Sequence, residues 1–133
     1  MRKRDRILAG IAACMLVTGC GAAGGTKNID LGIQAVENTD YAGALEYFDQ
    51  ALEQKEDAME LYRGYGLAYM GMSEYGQAVT ALEQSLQCSD GRLSEYEYDI
   101  NYYLATAYFK ENRLVDAVEV YDAIIALRPK EKD

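Results

Sequence analysis

Histidine and tryptophan are missing from the 133 residues, proline occurs once and cysteine three times. Without histidine the chain lacks the commonest general base and metal ligand near neutral pH. Ser-His-Asp, Cys-His and HExxH sets are therefore impossible. Cys14, Cys20 and Cys88 are too few and too scattered for a disulfide framework. Positive charge is scarce, with 13 Lys and Arg against 22 Asp and Glu for a net charge of -9. Residues 1–19 hold Arg2, Lys3, Arg4 and Arg6 against Asp5, a local +3, so the remainder carries -9 - 3 = -12. An acidic body of that kind argues against nucleic acid, whose phosphates need clustered Lys and Arg. GAAGG at residues 21–25 lacks the Lys and the flanking strand of a phosphate loop. The 21 carboxylates after residue 19 read as solvated helix faces rather than as an acid and base pair. We expect no enzyme, no metal and no bound cofactor.

What is present begins with the basic segment MRKRDR and the apolar run ILAGIAACMLV, residues 7–17. A membrane-crossing helix needs about 17–25 apolar residues, so this run has the length of a signal-peptide core. It ends in Val17-Thr18-Gly19-Cys20 and then in glycine and alanine, and each glycine costs a helix about 1 kcal/mol relative to alanine. An aliphatic residue, a small residue, Gly and Cys directly after such a run resembles the lipobox of bacterial lipoproteins. The resemblance implies cleavage before Cys20 and a diacylglycerol on its thiol, with palmitate among the acyl groups. It also implies an extracytoplasmic protein, lipid-anchored to the bacterial cell membrane or outer membrane. Residues 1–19 are then the signal peptide, and residues 20–27 are the lipidated cysteine and a flexible Gly/Ala linker. The alternative is an ordinary secretory signal in which Cys20 is incidental.

The body shows long apolar periodicity without strand alternation, which predicts an all-helical fold. YAGALEYFDQAL (41–52) aligns with YGQAVTALEQSL (75–86) at a spacing of 34, and LVDAVEVYDAII (114–125) follows at 39. Each is preceded by a partner segment: NIDLGIQAVE, LYRGYGLAYMG or NYYLATAYFK. Helix pairs at such periods signal a solenoid. The small-large-small sets Ala44-Phe48-Ala51, Ala78-Leu82-Ser85 and Ala117-Tyr121-Ile124 resemble the tetratricopeptide repeat, as do Leu31-Gly32, Tyr65-Gly66, Tyr69, Tyr108 and Pro129. The resemblance implies a right-handed superhelical solenoid of three helix pairs over residues 28–129, about 28–56, 59–90 and 95–129, with a charged tail at 130–133. Packed as in that family, Gly32, Gly66 and Ala105 face Ala44, Ala78 and Ala117. Thr39, Ser73 and Asn112 occupy equivalent turn positions and are expected as N-caps of the second helices. Ser94 and Glu97 are expected to form a capping box after the Asp90-Gly91 break. Most of the twelve tyrosines are expected in the core.

Solenoids of this family line a concave groove with their first helices, and the groove commonly holds a peptide. The positions so implied are Ile29, Ile33 and Val36, then Arg63, Leu67 and Met70, then Tyr102, Thr106 and Phe109. The Lys/Asn/Arg carboxylate clamp of chaperone-tail binders is missing, because Ile29, Ile33, Gly64, Asp99 and Tyr103 stand at those places. An apolar stripe with Arg63 as its one cation suits a hydrophobic peptide or helix bearing an acidic contact. Helix 114–127 has only Asp116, Glu119 and Asp122 as polar residues. Solenoids normally end in a polar capping helix, so this apolar end favours a homodimer or a docked partner, with a terminal helix left uncovered as the alternative. The expected function is a membrane-anchored scaffold for protein interaction or assembly. The alternative is a small extracytoplasmic enzyme or a carbohydrate-binding accessory protein. Cys88 reads as a half-buried, unreactive thiol.

Overall fold

The computed structural model describes residues 24–89 and 95–127. Cys20, the signal segment, Ser94 and Pro129 lie outside the described residues. Six helices and no strand occur among those described: α1 (Lys27–Glu37), α2 (Tyr41–Glu53), α3 (Ala58–Gly71), α4 (Tyr75–Gln87), α5 (Glu95–Lys110) and α6 (Leu114–Leu127). The packing follows chain order, α1 on α2, α3 on α4 and α5 on α6. Each pair also packs on the next, and the first helices α1, α3 and α5 touch in a row. This is the all-α repeat solenoid expected from the sequence.

The core forms where small residues in first helices admit large ones from second helices. Phe48 of α2 is fully buried, between Gly32 of α1 and Gly64 of α3. A methyl group on Gly32 would stand 2.7 Å from Phe48 Cδ1, and one on Gly64 would stand 2.6 Å from Phe48 Cζ. Gly66 is related to Leu82 of α4 in the same way, at 2.6 Å from Cγ. The residues facing Gly32 and Gly66 are thus the large members of the repeated sets, one helical turn beyond the expected Ala44 and Ala78. Ser85 replaces the second small residue in α4 and stays buried, because its Oγ donates to the Met59 carbonyl at 2.6 Å. The second core cluster joins Val79, Leu82 and Leu86 of α4 to Ile100, Leu104 and Tyr108 of α5 and to Ala117 and Val120 of α6.

Thr39, Ser73 and Asn112 are not N-caps. Each has positive φ, at 59°, 60° and 59°, and Lys55 at 54° joins them. Each follows the last turn of a helix and closes it by two backbone bonds. Thr39 N donates to Val36 O and Asp40 N donates to Ala35 O, at 2.9 and 2.8 Å, and the same pair recurs at Lys55, Ser73 and Asn112. This is the left-handed helix closure usually given to glycine. The residue after Thr39 or Ser73 is the N-cap of the next helix, and after Lys55 one further residue, Glu56, intervenes before the cap. Asp40 caps α2 by accepting from Gly43 N at 3.0 Å, and Asp57 caps α3 by accepting from Glu60 N at 3.0 Å.

The start of the described chain is tied to the α2–α3 turn. Gly24 N donates to Lys55 O and Asp57 N donates to Gly25 O, both at 3.1 Å. Glu56, buried in that turn, accepts from Asn28 N at 2.8 Å, Ile29 N at 3.1 Å and Asn28 Nδ2 at 2.6 Å. Its carboxylate therefore caps the first turn of α1, where free amides and the helix dipole favour negative charge. Glu97, expected in a capping box, is buried and accepts the Ser89 hydroxyl, which joins the end of the α4 segment to α5.

Candidate functional site

The first-helix face contains the nine expected groove residues, but it divides them. Ile29 is 2% exposed and packs in the core, at the floor of the cavity between α1 and α3. Ile33, Val36 and Met70 are half-buried against the two core clusters, and Leu67 is half-buried as well. Tyr102 and Phe109, two turns apart on α5, are 56% and 57% exposed. Thr106 lies between them, donates to Tyr102 O at 2.9 Å and stands 3.3 Å from the Tyr121 hydroxyl. The Tyr102 ring also meets Tyr121 of α6 edge-on, with centroids 6.3 Å apart.

Arg63 does not offer an unengaged cation to this face. Its Nε donates to Asp99 Oδ2 at 2.7 Å, and its Nη2 reaches the same oxygen. A cavity of about 350 Å³ between α1 and α3 is lined by Ile33 and by Asp30, Glu37, Glu60 and Arg63. Burial raises the pKa of Glu60, the nearby charges of Asp57 and Asp30 add to that rise, and Arg63 opposes it. The N-terminal part of the face is consequently acidic, and the Arg63 charge that lines it is already engaged by Asp99.

A larger cavity, about 640 Å³, lies on the other side of α3 and was not expected. Tyr62, Tyr65 and Tyr69 line it together with Asp49 of α2 and Gln77 and Gln84 of α4. The rings follow one another along α3 with centroids 6.1 and 6.4 Å apart. Tyr65 donates its hydroxyl to Asp49 Oδ1 at 2.6 Å, and burial followed by this bond raises the tyrosine pKa. The signal for this face was the i, i+3, i+7 spacing of the three tyrosines, which sequence reasoning had assigned to the core. Tyr108, by contrast, is a core residue, donating to Glu83 beneath the Arg113 guanidinium, which stands 4.4 Å from the ring centroid.

On α6, Leu114, Val115, Val118 and Ile125 are exposed large apolar residues. Val118 and Ile125 align with Val79 and Leu86 of the preceding repeat. Those two are 5% and 6% exposed, packed in the cluster that α5 completes, whereas Val118 and Ile125 are 56% and 68% exposed. Cys88 is half-buried and is not in a disulfide among the described residues. Among the described residues no cluster of three Cys, Asp or Glu could hold a metal ion, and no helix is long and apolar enough to cross a membrane.

The tetratricopeptide repeat family model matches residues 29–92 and, in an overlapping placement, residues 66–132. Comparison with curated proteins and with solved structures gives no match. The two placements span most of the chain, and repeats of this kind serve as scaffolds for protein–protein interaction. From its repeated helix pairs and this match, the chain belongs to the tetratricopeptide repeat family.

Proposed function

We propose that this protein is an envelope lipoprotein that presents its repeats as an interaction or assembly scaffold, taking an apolar peptide or helix on the first-helix face. The observation that carries the reading is the exposure of Tyr102 and Phe109 on α5, with half-buried Leu67 and Met70 on the neighbouring α3 and Ile33 on α1 beyond it. Exposed aromatic residues next to partly buried aliphatic ones are what a docking helix or peptide covers. The acidic residues Asp30, Glu37 and Glu60 around the α1–α3 cavity favour a ligand with a basic residue at that end.

Anchoring rests on the segment around Cys20. Since Gly24 is already bonded to the α2–α3 turn, the anchor at Cys20 is four residue steps from the body, about 14 Å when extended. The α2–α3 turn would then face the membrane. Two acyl chains meet the usual requirement for stable anchoring. Cys20→Ser should abolish incorporation of labelled palmitate and release the protein from membranes. A Cys20→Ser protein that stays membrane-bound would overturn the anchor.

The open face of α6 supports a homodimer through residues 114–127. Its exposed Val118 and Ile125 occupy positions that the preceding repeat buries under the next helix. Sedimentation of the protein should show self-association that Val118→Glu removes. A strict monomer at high concentration would contradict it.

A further inference from the structure

From the geometry of the second cavity we infer that Tyr62, Tyr65 and Tyr69 form a binding site for a proline-rich peptide that bears a basic residue. The site is separate from the first-helix face and adds a second ligand to the scaffold.

The three tyrosines share one side of α3, and α2 and α4 form the walls. Tyr62 and Tyr69 lie seven residues apart, about 10 Å along the helix. A polyproline II helix repeats every three residues, about 9 Å. One turn of such a peptide therefore spans the row of rings, with prolines set against successive tyrosines. An extended proline-rich chain loses little entropy on docking and has no internal hydrogen bonds. Its carbonyls need donors, and Gln77 and Gln84 bring amides to the α4 wall. A β-strand ligand has no sheet edge to join here among the described residues.

Charge selects the flanking residue. Asp49 lines the site with one carboxylate oxygen engaged by Tyr65. Glu111 stands at the Gly76 end, its Oε2 3.7 Å from where a Gly76 methyl would be. Asp49 is the one charged side chain in the lining among the described residues, so the site carries negative charge alone. Arginine or lysine beside the prolines complements this field, and a carboxylate is repelled. Arginine also gains from the tyrosine faces.

The test uses the full chain and three synthetic peptides, each carrying a tryptophan reporter, since the protein has none. The first is arginine followed by nine prolines, the second replaces the arginine by glutamate, and the third replaces every proline by alanine. Fluorescence titration at low salt should show binding of the first, about tenfold weaker binding of the second, and none of the third. Asp49→Asn should weaken the first peptide about fivefold and narrow the gap between the first two. Tyr62→Ala should weaken both proline peptides about tenfold, with helical circular dichroism confirming that it folds. Asp49 is exposed, so its variant keeps the test decisive if Tyr62→Ala does not fold. Failure of the first peptide to bind, equal binding of the alanine peptide, or no effect of Asp49→Asn would overturn the inference. Binding of a glucan hexasaccharide at this site with no peptide binding would overturn it in favour of a saccharide ligand.

Discussion

Arg63 of α3 is held by Asp99 of α5, with Nε donating to Oδ2 at 2.7 Å across 36 residues of sequence. The pair joins the second repeat to the third and keeps two half-buried charges from facing the solenoid unpaired. Removing either partner alone should cost about 1–2 kcal/mol in urea unfolding, because the remaining half-buried charge loses this partner. The double variant Arg63→Ala, Asp99→Ala should lose less than the sum of the single losses, with a coupling of about 1 kcal/mol. Strict additivity would show that the pair contributes nothing to the inter-repeat contact.

Two glycine substitutions should act in opposite directions. Gly32→Ala places a methyl group against the buried Phe48 ring. Overpacking of about 1–3 kcal/mol exceeds the gain of about 1 kcal/mol in helix propensity, so the variant should melt lower. At Gly76 the nearest atom to an added methyl is the Glu111 carboxylate at 3.7 Å, an ordinary contact. Gly76→Ala should therefore stabilise by up to about 1 kcal/mol. Thermal melts of the two variants check the signs.

Thr39 occupies the left-handed region with φ 59°, where a β-branched residue is strained by about 1–2 kcal/mol. Thr39→Gly removes that strain and loses part of the gain to the greater freedom of glycine in the unfolded chain. A net stabilisation of several tenths of a kcal/mol is expected. Thr39→Ala, which keeps a Cβ, should not reproduce it. Chemical denaturation of the two variants distinguishes strain at Thr39 from loss of its side-chain contacts.

Glu60 gives a pH dependence of definite sign. Burial, then Asp57 and Asp30, raise its pKa above the ordinary value of 4.5. The folded state therefore holds the proton more tightly than the unfolded state. The stability this group contributes is full below about pH 4.5 and is lost as pH rises through the raised folded pKa. Glu60→Gln should make the protein more stable than wild type at pH 7, with the difference shrinking as pH falls toward 4.5. Denaturation at a series of pH values checks this, and a constant difference would remove the electrostatic cause.

The helix pairs were legible because each repeat buries a small-large-small set that recurs in sequence, and Ala44, Phe48 and Ala51 are all fully buried. The turn positions were legible as equivalents but not in their role. Threonine, serine and asparagine mark N-caps by type, whereas Thr39, Ser73 and Asn112 are set by the backbone closure of the preceding helix. On the first-helix face, spacing placed Tyr102 and Phe109 on one side of α5, and both are exposed there. Spacing did not show that Ile29 is almost wholly buried at the floor of the α1–α3 cavity, or that Arg63 is paired with Asp99 a whole repeat away. A pairing of that kind depends on how consecutive repeats stack, which residue spacing alone does not encode. The tyrosines of α3 show the converse limit, since spacing placed them on one side of a helix without showing that α2 and α4 leave a cavity over them.

The central claim is that the first-helix face of α5 holds a partner in the cell envelope. A photoreactive amino acid in place of Phe109, in the full chain expressed in its own envelope, tests it directly, with the same group at exposed Glu46 on α2 as the comparison. The account predicts a discrete protein adduct from position 109 in the membrane fraction and none from position 46. No adduct from position 109, or the same adduct from both positions, would contradict it.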